Sequence, residues 1–193
     1  SPEALNHLNY SDSRLIVEKF PSYTRFRLSN AVHRILRIRF ENINENKALK
    51  TLKIVYRRFS FKSFLFDFLV SQPLPKSKRI YDWIYFLSGK LTNIPKDIKN
   101  IFDFYKPDLV FSTNPTRTIE YDFLKCSRIN GINSIGMIKS WDTILTKGYI
   151  PLKTDYYLTW NLIMKNDLMA LHSIRNESIG VTGVPQFDIY SKN

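Results

Sequence analysis

The chain is short of cysteine, histidine, glycine and acidic residues. Its single cysteine, Cys126, excludes an internal disulfide and suits a reducing compartment. Cys126 falls among apolar neighbours on a helical pattern, as a core residue does and a nucleophile seldom does. His7, His33 and His172 have no ligand-like spacing to one another or to the cysteine, so no metal site is expected. No run approaches the ~20 apolar residues that a membrane-spanning helix needs. No internal repeat or low-complexity tract is present. The opening residues Ser1, Pro2 and Glu3 lack a basic-then-apolar leader pattern, so a cytoplasmic location is expected. They also lack a Met, so the start reads as a cut end. Zinc-finger spacing, an aromatic RNA-binding signature and a clear recognition helix are all missing, which argues against a nucleic-acid partner.

What is present begins with charge. The 193 residues are enough for one domain with a real core. Lys and Arg number 29 against 17 Asp and Glu. Residues 1–106 hold 20 of the cations and 9 of the acids, whereas residues 107–193 hold 9 and 8. Nearly all the basic excess therefore lies in the first half, and two regions with different surroundings are expected.

The first region, residues 1–104, reads as basic, aromatic-rich and mainly helical. A short strand fits residues 14–18. Residues 28–40 repeat apolar side chains with helical period at Val32, Ile35 and Leu36, and residues 46–59 do so at Leu49, Leu52, Val55 and Tyr56. Five phenylalanines follow between Phe59 and Phe68. Residues 71–79 form a Pro-containing breaker, and residues 81–87 suit a short helix. Pro95 suits the first position of a helix running to Tyr105, with Ile98, Ile101, Phe102 and Tyr105 as its buried stripe. Two readings of this region stand. Its cations form the solvated face of helices packed on a sheet, or they meet an anionic membrane surface or acceptor.

Residues 105–193 carry the β/α pattern. PDLVFSTNP (107–115) is a short apolar run ending in a polar loop, as a strand covered on both faces would. A helix over 117–129 stops at Asn130 and Gly131. A strand over 133–138 leads into Lys139, Ser140, Trp141, Asp142 and Thr143. A strand over 155–160 precedes a helix from Asn161 to about Ile174. A last strand over 178–182 ends in Gly183, Val184, Pro185, Gln186, Phe187 and Asp188. This alternation predicts an α/β fold with a Rossmann-like, three-layer parallel sheet. Ligands of such sheets bind beyond the carboxyl ends of the strands, where each of these loops falls.

Taken together, the STNP loop (112–115), SWDTILTKG (140–148) and VTGVPQFD (181–188), spaced by strand and helix, resemble the N-terminal half of a GT-B glycosyltransferase. The likeness is to the bacterial surface-carbohydrate group that includes CDP-glycerol glycerophosphotransferases, related in fold to UDP-N-acetylglucosamine 2-epimerases. It covers about residues 105–190. It implies an incomplete single GT-B half with a helical basic insertion, acting in surface polysaccharide or glycolipid synthesis. It further implies a nucleotide-sugar or CDP-polyol donor, no other cofactor, and a lipid-linked or polysaccharide acceptor. The donor-binding domain would follow Asn193, and residues 1–193 would be inactive alone. No Asp-x-Asp motif supports a metal-dependent GT-A alternative. The different-class alternative is a non-catalytic α/β binding domain directed to anionic membrane or nucleic acid.

Under that resemblance the loop residues take roles. Transfer needs an acceptor hydroxyl positioned and deprotonated. Asp142 is the candidate base or acceptor-orienting group, Trp141 a stacking surface, Lys147 a phosphate counter-charge, and Asn114 and Ser140 further acceptor contacts. Gly183, Pro185, Gln186, Phe187 and Asp188 would face the donor side, Gly183 allowing a bend and close backbone approach. Each has a plainer reading: Asp142 or Asp188 as a turn cap, Trp141 as a core anchor, Lys147 and Gly148 as a helix end. Glycerophosphotransferase-like members carry a His in the corresponding loop; this chain has none near Trp141.

Overall fold

The computed structural model describes residues 78–91, 93–146, 149–150 and 152–190. The expected strand at 14–18, the helical patterns at 28–40 and 46–59 and the phenylalanine run lie outside the described residues, as do Lys147 and Gly148.

Two helices lead into the sheet. α1 (Lys78–Leu91) begins inside the segment expected to be a breaker and extends past the expected residues 81–87. α2 (Lys96–Tyr105) starts one residue after Pro95, which caps it with extended geometry instead of opening it. Ile98 and Phe102, one turn apart, are its buried pair. Ile101 is half-buried, and Tyr105 is exposed, against expectation. A left-handed Lys106 (φ 45°) ends the helix just before Pro107, which cannot continue it.

Four short strands follow: β1 (Leu109–Ser112), β2 (Asn133–Met137), β3 (Tyr156–Thr159) and β4 (Ile179–Val181). They pair in chain order, and every pair is parallel. α3 (Thr118–Ile129) joins β1 to β2, and α5 (Leu162–His172) joins β3 to β4. Among the described residues, the β2–β3 connection holds the single-turn α4 (Thr143–Thr146). Asn130 and Gly131 (φ 68°) stop α3 where the sequence predicts. Asn161 opens α5 by accepting a hydrogen bond from the Met164 amide (2.9 Å), a side-chain N-cap worth about 1 kcal/mol. α5 ends at His172, two residues short of the expected Ile174, because Ser173 turns left-handed (φ 55°). The strands also stop short of their expected ends, since the ladder closes at Met137, Thr159 and Val181.

Strand register shows which face the helices occupy. Ser112, Gly136, Tyr157 and Ile179 are successive cross-strand partners, and Val110 pairs with Ser134. Parallel partners point to the same side, so these residues share one face. Val110 packs on the cluster of Ile94, Ile98, Phe102 and Cys126 from α2 and α3. Tyr157 and Ile179 belong to the cluster of Ile138, Ile144, Ile150, Met164 and Leu168. Hence α2, α3 and α5 all cover that face; for α3 and α5 this is what right-handed crossovers between consecutively ordered strands require.

The opposite face carries Leu109, Phe111, Ile135, Met137, Tyr156 and Leu158. Leu109 is 47% exposed, Phe111 50% and Tyr156 53%. Among the described residues the helices lie on one face of the sheet, β1 ends the strand order, and on the opposite face Leu109 and Phe111 are about half exposed, so β1 is not closed on both faces. Its apolar run is continuous, but Leu109 and Phe111 face away from the helices.

The core is stitched by polar groups. The His172 ring is fully buried. Its Nδ1 accepts from the Ile150 amide (3.2 Å) and its Nε2 donates to the Ile144 carbonyl (2.9 Å). One side chain thus ties the end of α5 to α4 and to the chain returning to β3. At the amino ends of the strands, Asp155 accepts from the Ser134 amide and hydroxyl (both 2.8 Å) and locks β2 to β3.

Candidate functional site

All four strands are parallel, so the loops leaving β1, β2, β3 and β4 gather at one edge of the sheet. Neighbouring strands lie about 4.8 Å apart, which spreads the loops over about 14 Å from β1 to β4. Asn114, the Ser140–Trp141–Asp142 loop and Gly183 share this edge, where open α/β sheets hold ligands.

The β1 loop is held by an acid outside the candidate set. Glu120 accepts from the Asn114 amide (2.8 Å) and from the Ser112 hydroxyl. The Asn114 side-chain oxygen accepts from the Thr116 hydroxyl (2.6 Å). Asn114 is therefore oriented from both ends, and a carboxylate sits beneath it. Glu120 is the third residue of α3, where a Glu commonly reaches back to the chain ahead of the helix. The usual signature opens with Ser or Thr, whereas here Arg117 precedes the helix, so no motif marks Glu120.

In the β2 loop, Trp141 is 63% exposed. It is not a core anchor, and its ring is available to a ligand. Asp142 is half-buried and directly precedes α4. Its carboxylate accepts from the Ser140 hydroxyl. The loop backbone is fixed by bonds from the Thr143 amide to the Ser140 carbonyl (3.0 Å) and from the Leu145 amide to the Asp142 carbonyl (3.1 Å). Buried Ile144, held by His172, anchors the loop from behind. Lys147 lies outside the described residues, so its place relative to Asp142 is not part of this geometry.

The β4 loop leaves through Thr182, whose amide bonds the Thr159 carbonyl (2.9 Å). Gly183 follows at φ 79°, with nothing within 4 Å of where a Cβ would stand. Its glycine is required by backbone conformation and not by crowding. A short 3-10 turn then runs over Pro185–Tyr190. It carries Pro185, Gln186, Phe187 and Asp188. Phe187 is 55% exposed and stands between Trp160 (6.5 Å) and Tyr190 (6.4 Å). Tyr190, 74% exposed, thus joins the edge as an aromatic surface that sequence reasoning passed over, while Trp160 packs half-buried against the core. Asp188 is exposed.

The edge therefore offers three acids (Glu120, Asp142 and Asp188), amide and hydroxyl donors, and exposed aromatics. That set suits a polyhydroxylated ligand: carboxylates accept from hydroxyls and aromatic faces meet sugar C–H surfaces. Cys126 contributes nothing here. It is buried, and burial, reinforced by Asp103, pushes its thiol up from its ordinary value, away from nucleophilic use. Among the described residues, no three His, Cys, Asp or Glu side chains cluster as metal ligands do, and no helix is long and apolar enough to cross a membrane. Comparisons with protein-family models, curated proteins and solved structures return no match.

Proposed function

We propose that this chain forms the acceptor-side unit of a GT-B-type transferase in surface polysaccharide or glycolipid synthesis. It would act at the cytoplasmic membrane face as a peripheral protein, with the nucleotide-activated donor held by a second Rossmann-like unit. The observation that carries this reading is the gathering of Asn114, Trp141, Asp142 and Gly183 at the carboxyl edge of one parallel sheet. Asp142 takes the acceptor proton, Trp141 stacks on the acceptor sugar, and Glu120 sets the loop that presents Asn114. The segment from Gly183 to Asp188 faces the donor.

The test is Asp142→Asn in the full-length enzyme, assayed with a panel of nucleotide-sugars and CDP-polyols. Asn keeps the shape and caps a helix as well as Asp does, but it cannot accept the proton. Transfer is expected to fall by about 10²–10⁴-fold with an unchanged melting temperature. Activity within a few-fold of wild type assigns Asp142 to the turn alone. The basic excess of residues 1–106 favours one competing reading, a non-catalytic domain that binds anionic membrane. No transfer from any donor, with salt-sensitive flotation on anionic vesicles, would establish it.

A further inference from the structure

A cleft of about 750 Å³ opens between α1, α2, α3 and the residues Ile150, Leu152 and Lys153. It shares no residue with the strand-end loops, so it stands or falls independently of the transferase reading. Its size lies within the range of small-molecule sites, about 300–1,000 Å³.

The lining has two parts. Phe86, Ile94, Ile150 and Leu152 supply an apolar wall, with Ile94 and Ile150 belonging to the buried core. Around it stand five cations: Lys90, Lys99, Lys125, Arg128 and Lys153. Among the described lining residues one carboxylate, Asp82, opposes them. Asp82 is already engaged, receiving the Tyr149 hydroxyl (2.6 Å) and the Lys153 ammonium (3.1 Å). The Arg128 guanidinium donates to the Lys153 carbonyl, which fixes it at the rim and leaves donors on its other edge. Cations collected beside apolar walls focus a positive field and draw anions more strongly than the same charges spread in water.

We propose that this cleft binds an amphipathic anion: a phosphate or carboxylate head set among the lysines and Arg128, with an acyl or prenyl chain along the apolar wall. Neither half of the lining explains the other. A solvated lysine face needs no apolar floor, and a purely apolar groove would not gather five like charges at mutual repulsive cost.

Calorimetric titration of the full chain with dodecyl phosphate below its micelle concentration tests the proposal. One molecule is expected to bind per chain, with inorganic phosphate at least tenfold weaker and dodecyltrimethylammonium not binding. Lys99→Gln and Lys125→Gln are each expected to weaken binding by about tenfold or more, the size of a lost charge-assisted contact. Lys139→Gln, at the strand ends, leaves binding unchanged. Circular dichroism of each variant confirms that it is folded. Equal binding of inorganic phosphate, equal binding of the cationic amphiphile, unchanged affinity in both lysine variants, or displacement by a tail-less oligonucleotide would each overturn the proposal. Vesicles with and without anionic lipid then assign the source. Competition by anionic vesicles identifies a membrane headgroup, and its absence a soluble amphiphile; both outcomes keep the shared chemistry.

Discussion

Replacing His172 by Leu should cost about as much as losing two buried backbone hydrogen bonds. The ring is fully buried, and both nitrogens are used: Nδ1 on the Ile150 amide and Nε2 on the Ile144 carbonyl. Leu fills similar space but satisfies neither group. Ile144 and Ile150 are themselves buried, so water cannot easily take over. Each orphaned group costs about 1–3 kcal/mol, giving about 4 kcal/mol for the pair. That is a large share of the ~5–15 kcal/mol by which domains are stable. With a urea slope of about 2 kcal/mol per molar, the unfolding midpoint should fall by about 2 M. His172→Gln can present an amide N–H to the Ile144 carbonyl, so it should recover about half of the loss. A midpoint within about 0.3 M of wild type for the Leu variant, judged on the same slope, would refute the argument. So would a Gln variant no better than Leu. Because Ile144 backs the Ser140–Asp142 loop, destabilisation should be accompanied by loss of the Trp141 fluorescence signature when the other tryptophans are replaced.

Tyr157 is wholly buried and its phenol is pushed up to about 12 by desolvation. The raised folded value means the neutral phenol is favoured by folding: the stabilisation is intact below pH 10 and is lost as pH rises from 10 to about 12. The loss amounts to about 2–3 kcal/mol and should be absent from the alkaline melts of Tyr157→Phe; identical alkaline slopes would contradict it. Gly136→Ala should cost about 1–3 kcal/mol, because a Cβ there meets the Thr154 hydroxyl at 2.9 Å and the Pro115 ring at 3.2 Å. Thr154 is held by its bond to the Tyr156 carbonyl (2.8 Å), so a neutral melt would show that the loop yields. Phe111→Ser should cost only about 1 kcal/mol, half of a full aromatic burial, since the ring is half-exposed. A loss of about 3 kcal/mol or more, as in a closed core, would show that something covers the open sheet face.

The sequence by itself determined the four strands and the two longer helices of residues 105–190 and their order; the single turn α4 was not among them. Short apolar runs separated by helical periods, an Asn-Gly stop after α3 and a capping Asn161 before α5 are local signals, read within a few residues. Parallel pairing then follows, and with it the placing of Asn114, Trp141, Asp142 and Gly183 at one edge. What the tertiary structure alone decided depends on contacts between distant residues. The continuous apolar run of β1 reads as a strand covered on both faces, so the exposure of Leu109 and Phe111 was not legible. Lone His172 became the central polar tie only because α5 brings its ring between Ile144 and Ile150. Glu120 reaches Asn114 without a capping motif, and the five cations of the cleft come from segments up to 63 positions apart, Lys90 to Lys153. Periodicity fixes which side of an element is apolar; which neighbour it meets is set by packing, and packing is where the ionic and polar chemistry of this protein was arranged.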